Sequence, residues 1–251
     1  MAADKKAIGL ALGGGAILGA AHIGVLKAIE ERDIDLCCIS GTSIGAFIAA
    51  LFAFGIKPKE IEEIVVDLDW LDVSSLSLSR FGLLSNDKLG KSFEDAVGDV
   101  QFDDAKTSLA VVATDISDCQ KVVLTEGKVA EAVMASACVP GLFTPVEIDG
   151  RMLVDGGLVE NVPISPLKDM DANFVIGVDL NVKRTYRKPE DVIDVLSNAL
   201  DIAIDNATRI QTEESDVLIA PELSAYSRTD TDRISELIDE GYQAACECLD
   251  D

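Results

Sequence analysis

Short apolar runs alternate along the chain with stretches whose apolar residues recur every three to four positions. Residues 7–12 (AIGLAL) are the first run and predict a buried strand, since no polar alternation interrupts them. From Ala16 to about Glu31 the spacing changes, and Ile17, Ala21, Val25, Ala28 and Ile29 fall along one side of a helix. The pair then repeats, with LCCIS (36–40) as a second strand and 44–54 as a second helix. Pro58 opens a third helix, at a position where its missing N–H costs nothing, and Asn86 is placed to cap a fourth.

Strands are predicted over 108–115 and 121–127, and a helix over 129–138 that ends at VPG. TPVEIDGRMLVDGG reads as a hairpin with Asp149–Gly150 as its two-residue turn. NFVIGVDL and DVLIAP are further strands, separated by a long helix after Pro189, and a last amphipathic helix starts near Asp230. Residues 69–84 alternate Leu and Phe with Ser and fit neither period. Trp70, Leu71, Leu76, Leu78, Phe81, Leu83 and Leu84 either pack that loop onto the body or line a lid or channel mouth. The chain shows no repeat and no low-complexity linker, so the expectation is one α/β domain over residues 1–251, its mostly parallel sheet covered by helices on both faces.

Composition narrows the function classes. A net charge of −24 repels nucleic acid and anionic head groups alike, so neither is an expected partner and membrane contact would be transient at most. The longest apolar run, residues 44–56, is too short and too rich in glycine to span a bilayer. The N-terminus lacks the apolar region and cleavage site of a signal peptide, which predicts a cytoplasmic protein. Six cysteines without a CxxC pair fit reduced thiols rather than disulfides or zinc, and the single histidine, His22, excludes any site that needs two.

Two turns carry candidate chemistry. Gly41-Thr42-Ser43-Ile44-Gly45 matches G-x-S-x-G between a strand and a helix, the setting in which a nucleophilic serine is exposed on a sharp turn. The same residues also suit a helix-capping serine between packing glycines. Gly13-Gly14-Gly15 fits neither G-x-G-x-x-G nor a P-loop. It reads either as a tight turn or as an oxyanion hole whose backbone N–H groups converge on a developing charge. A base for Ser43 could be His22, although a lone mid-helix histidine normally packs, or a carboxylate at a strand end: Asp155, Asp115 or Asp179.

The segments GGG…GAAHIGVLKAIEE, GTSIGA, ASACVPGLFTPVEIDGRMLVDGG and ENVP, in this order, resemble the patatin-like phospholipase family, and most closely its small bacterial and archaeal members. The resemblance runs from about Ile8 to Asn181. It implies a three-layer αβα sandwich and a serine esterase acting on lipid or short-chain esters without metal or cofactor. In that reading Ser43 is the nucleophile, Asp155 the base, and Gly13, Gly14 and Gly15 the oxyanion hole. Gly41, Gly45, Gly156 and Gly157 are the motif glycines beside them. Where the family reads like G-G-G-G-x-R-G, this chain carries Ala16 and Leu18. The alternative is therefore a patatin-like scaffold that binds a lipid or a protein with little or no turnover.

Overall fold

A computed structural model describes residues 6–68, 75–76, 82–186, 188–228 and 231–250. In chain order its first half holds β1 (Ile8–Leu12), α1 (Ala20–Glu31), β2 (Leu36–Thr42), α2 (Ile44–Ala53), α3 (Pro58–Asp67), β3 (Ser75–Leu76), β4 (Gly82–Ser85), α4 (Asp87–Val97), β5 (Ser108–Asp115) and β6 (Gln120–Leu124). The second half holds α5 (Val129–Ser136), β7 (Gly141–Phe143), β8 (Val146–Ile148), β9 (Arg151–Asp155), α6 (Ser165–Asp169), β10 (Phe174–Val178), α7 (Val192–Gln211), β11 (Val217–Ile219) and α8 (Ile234–Leu249).

The main sheet runs β11-β10-β1-β2-β5-β9-β8, with β6 on the other edge of β5. β11, β10, β1, β2 and β5 are parallel, whereas β6, β8 and β9 are antiparallel additions. The uninterrupted apolar character of β1 has its reason here. Leu10 and Leu12 enter the large core shared with α1, α2 and α8, while Ala11 faces a smaller core with Val162, Leu167 and Val175. α1 and α8 lie so close that a Cβ on Gly24 would stand 2.0 Å from the Ile238 carbonyl oxygen.

The register of β5 brings distant parts of the chain together. On one edge β2 pairs with it as far as Thr42↔Val112, and on that same edge β9 takes over, ending at Asp155↔Ala113. The other edge at these positions belongs to β6. β2 and β9 therefore run toward each other along β5 and stop at adjacent residues, which places Ser43 and Asp155 at one point.

The hairpin forms as its sequence predicts. Asp149 and Gly150 have φ of 52° and 73°, the positive values a two-residue turn demands, and Ile148 pairs with Arg151. The first helix starts later than its periodicity predicts, because residues Ala16–Gly19 form a 3-10 turn before α1. A small second sheet, β3-β4-β7, involves part of the 69–84 stretch that fitted neither period. Trp70, Leu71, Leu78 and Phe81 lie outside the described residues, as do the side chains of Leu76 and Leu83. Leu84 sits on β4 and pairs with Phe143.

Candidate active site

β2 ends at Thr42 and α2 begins at Ile44, so Ser43 alone makes the turn between them, with φ 55° and ψ −127°. A residue with a Cβ adopts this backbone at a cost, held there by its surroundings. The flanking glycines are required by close approach. A Cβ on Gly41 would lie 2.5 Å from Ala46 Cα, and one on Gly45 would lie 2.2 Å from the Leu12 carbonyl oxygen.

The Ser43 N–H donates to Ser136 Oγ (2.8 Å), whose hydroxyl donates to the Val112 carbonyl (2.6 Å). Ser136 is buried on α5, inside the quoted segment ASACVPG but without a role assigned to it from the sequence. Replacing it with alanine leaves a backbone donor and a backbone acceptor unpaired at the turn. Ser136→Ala is expected to lose about 1–3 kcal/mol of stability, read from urea unfolding.

Asp155 closes β9 directly opposite. Its N–H donates to the Cys138 carbonyl (2.8 Å), and its carboxylate accepts the Gly157 N–H (2.8 Å). Ser43 stands beside this carboxylate, and the two residues line one cavity. Gly156 packs against β5, where a Cβ would meet the Val112 carbonyl oxygen at 2.2 Å. Burial pushes the Asp155 carboxyl up to about 6. The Gly157 N–H and the Ser43 hydroxyl oppose that shift, and the negative charge of Asp201 adds to it.

The other strand-end carboxylates do different work. Asp115 accepts the N–H groups of Ser117 and Asp118 and shapes the turn after β5. Asp179 accepts the Asn181 N–H and lines a separate cavity on the far side of α7. His22 is fully buried beneath the glycine loop, with Nε2 2.7 Å from the Gly13 carbonyl oxygen. Burial lowers its pKa to about 4, so the neutral ring donates to that carbonyl. His22 thus supports the loop rather than facing Ser43.

The glycine loop narrows the expected set of oxyanion donors. The Gly13 N–H donates to the Val178 carbonyl (3.1 Å) and the Gly14 N–H to the Asn161 carbonyl (3.2 Å). Among the described residues neither the Gly15 nor the Ala16 N–H has an acceptor, and Gly15 lines the same cavity as Ser43 and Asp155. A Cβ on Gly14 would lie 3.2 Å from Ser43 Cβ, so the loop runs directly beside the serine. Ala16 has a φ of 52°, the left-handed region that favours glycine, whereas Leu18 is buried in the main core.

A family model for patatin-like phospholipases matches residues 10–168, more than half of the chain. The chain belongs to the patatin-like phospholipase family. An uncharacterized NTE family protein of Mycobacterium bovis is 34% identical over 177 residues, covering 69% of this chain and 49% of its own length. Lysophospholipase NTE1 of Candida glabrata is 33% identical over 189 residues, covering 70% of this chain and 10% of its own. This patatin-like chain therefore spans about half the length of the mycobacterial relative and a tenth of the yeast one. Among solved structures, VipD from Legionella pneumophila superposes with a TM-score of 0.70 at 16% identity, over 98% of this chain and 67% of that one. The type III effector protein ExoU superposes with a TM-score of 0.56 at 18% identity, over 98% and 53%. These likenesses show the patatin fold.

The cavity of the patatin-like site measures about 320 Å³. Leu196, Leu200 and Ile204, spaced four apart on α7, form one wall, and Leu142 and Val139 form part of the rim. Leu142, Leu196 and Val139 are also exposed, so the mouth opens onto an aliphatic surface. The helical spacing in the α7 sequence could have been read as a wall. The apolar residues of 69–84 were the lining candidates instead, and most of those lie outside the described residues. Arg228 adds one guanidinium to the lining, paired with Asp201 at 2.9 Å.

Burial pushes the Cys38 and Cys138 thiols up to about 12, far from a nucleophilic thiolate. Among the described residues, no cluster of three or more His, Cys, Asp or Glu side chains could hold a metal ion, and no helix is long and apolar enough to cross a membrane.

Proposed function

We propose that this chain hydrolyses carboxylic esters of lipids, as a lysophospholipase, phospholipase A or carboxylesterase, using Ser43 and Asp155. One observation carries the reading: a serine on a strained turn and an aspartate meet where β2 and β9 end on β5, and both line one largely aliphatic cavity. Ser43 Oγ attacks the ester carbonyl carbon while Asp155 accepts its proton. A carboxylate near 6 is a far better base at neutral pH than one near 4, because it is still ionised there and holds the proton more strongly. The carbonyl oxygen becomes an oxyanion beside the Gly15 and Ala16 N–H groups, with Gly13 and Gly14 anchoring the loop that presents them.

As the tetrahedral intermediate collapses, the alcohol leaves with the proton held by Asp155. A water deprotonated by Asp155 then attacks the acyl-Ser43 ester, and the fatty acid departs as Ser43 regains its proton. Neither step calls for a metal or an organic cofactor. The aliphatic wall of α7 suits an acyl chain, and the net charge of −24 favours dispersed or neutral substrates over anionic bilayers.

The scaffold alternative rests on Ala16 and Leu18, which stand where the family carries a glycine and an arginine. Leu18 points into the core, and Arg228 brings a cation to the cavity from elsewhere in the chain, which weakens that reading. The test is labelling with a fluorophosphonate probe followed by peptide mapping. A single adduct on Ser43 is the expected result, and folded protein that takes up no probe would overturn the proposal.

A further inference from the structure

The loop that carries the free N–H groups is held from behind by a polar cluster outside the four family-like segments of the sequence. Gly14 and Gly15 share one peptide plane, and in a trans peptide the carbonyl and the N–H point in opposite directions. Fixing the Gly14 carbonyl therefore aims the Gly15 N–H. Asn181, buried just beyond β10, donates from Nδ2 to the Gly14 carbonyl at 2.8 Å. Its other end accepts from two guanidinium groups, Arg184 Nη2 and Arg228 Nη2, the latter at 3.3 Å. The orientation of the amide follows from chemistry alone, since a carbonyl can only accept and an arginine can only donate.

Both arginines are fixed to α7. Arg184 Nη1 lies 3.0 Å from Asp201 Oδ1 and 3.2 Å from Asp205 Oδ1, and Arg228 Nη1 lies 2.9 Å from Asp201 Oδ1. Asp179 accepts the Asn181 backbone N–H at 2.9 Å and holds the residue at its root. Two cations on Oδ1 draw electrons from the amide and strengthen Nδ2–H as a donor. Arg184 and Asp201 are largely shielded from water, which keeps these interactions directional.

We propose that Asn181 is a positioning residue for the oxyanion hole, gripping the Gly14 carbonyl so that the Gly15 N–H faces the carbonyl oxygen attacked by Ser43. Arg184 and Arg228 lock its amide in the donating orientation and tie it to α7, the helix that walls the cavity. The inference rests on the esterase reading for its effect on rate, but its structural content can be measured without turnover.

Asn181→Asp isolates the effect. The new carboxylate keeps both arginine partners, so the cluster remains paired, while the donor to the Gly14 carbonyl becomes an acceptor that repels it. Removing an oxyanion donor outright costs about 100- to 1,000-fold in kcat, so misaiming one should cost roughly 10- to 100-fold, with KM for p-nitrophenyl butyrate within about twofold. Amide hydrogen exchange in the glycine-loop peptide should quicken, while Tm falls less than in Asn181→Ala. Asn181→Ala, which also releases the arginines, should show the same loss of kcat together with a lower Tm.

A purely structural role predicts instead that kcat follows Tm through both variants, which would overturn the inference. Wild-type kcat and wild-type loop exchange in Asn181→Asp would overturn it as well. A wild-type protein inert to esters and probe, whose loop nevertheless loosens in Asn181→Asp, would remove the esterase reading and leave the positioning role standing.

Discussion

Ser43→Ala is expected to lower hydrolysis of p-nitrophenyl butyrate at least about 10,000-fold while changing unfolding stability by no more than about 0.5 kcal/mol. The activity loss follows because, among the described residues, only Ser43 sits on a strained turn beside Asp155: Ser197 lines the cavity from within α7, and the Cys138 thiol is held near 12 and bonded to the Thr144 carbonyl. The small stability change follows because alanine inherits the same backbone strain and the same N–H bond to Ser136. Ser43→Gly separates the two effects. Glycine tolerates a φ of 55° freely, and even after its greater entropy when unfolded it should be about 1 kcal/mol more stable than Ser43→Ala. Both variants should be equally inactive. Hydrolysis that survives in either would mean the reaction runs elsewhere, and a Ser43→Gly protein less stable than Ser43→Ala would mean the turn is not strained.

The alternation of strand and helix was legible in the sequence because each element carries its own period, and the Asp149–Gly150 hairpin because its turn residues are specific. The sharp turn at Ser43 was legible for the same reason: an apolar run, two glycines and a helical run fix a strand-turn-helix locally. What local pattern could not supply was the choice among Asp155, Asp115 and Asp179. All three end apolar strands, and only the long-range register of β5, with β2 and β9 meeting at Val112 and Ala113, sets one of them beside Ser43.

The same limit applies to the glycine loop. Three successive N–H groups look equivalent in sequence, yet the carbonyls of Val178 and Asn161 arrive from β10 and from the segment after β9 to occupy two of them. Support for the loop comes from His22, within a quoted segment but with no role assigned to it, and from Asn181, outside all of them, because a buried side chain that holds one carbonyl needs only a donor at the right place. The wall of α7 carried a readable helical spacing, but nothing local tied that helix to the cavity.

Asp155→Asn is expected to move activity and stability in opposite directions. Loss of the base should lower kcat by about 1,000-fold, within the range for a positioned general base. In the wild type kcat/KM should rise with pH through about 6, as Asp155 ionises, and the residual rate of the variant should lack that limb. Stability follows from the same shift. The folded pKa of about 6 lies above the ordinary value of 3.8, so the fold prefers the protonated carboxyl. That preference contributes fully below about pH 4, is lost as pH rises toward 6, and leaves the ionised wild type at a constant disadvantage above it. Asparagine mimics the neutral acid at every pH. Because the cavity admits water to the carboxylate, the advantage of Asp155→Asn at pH 8 should be about 1–2 kcal/mol, shrinking toward zero near pH 4. Urea unfolding of both proteins at the two pH values measures it. In the proposed mechanism the burial that destabilises the carboxylate also raises its basicity toward Ser43, so the gain in stability and the acid limb must stand or fall together. Equal stability at pH 8 with a rate already maximal at pH 5 would mean a solvated Asp155 that is not the base.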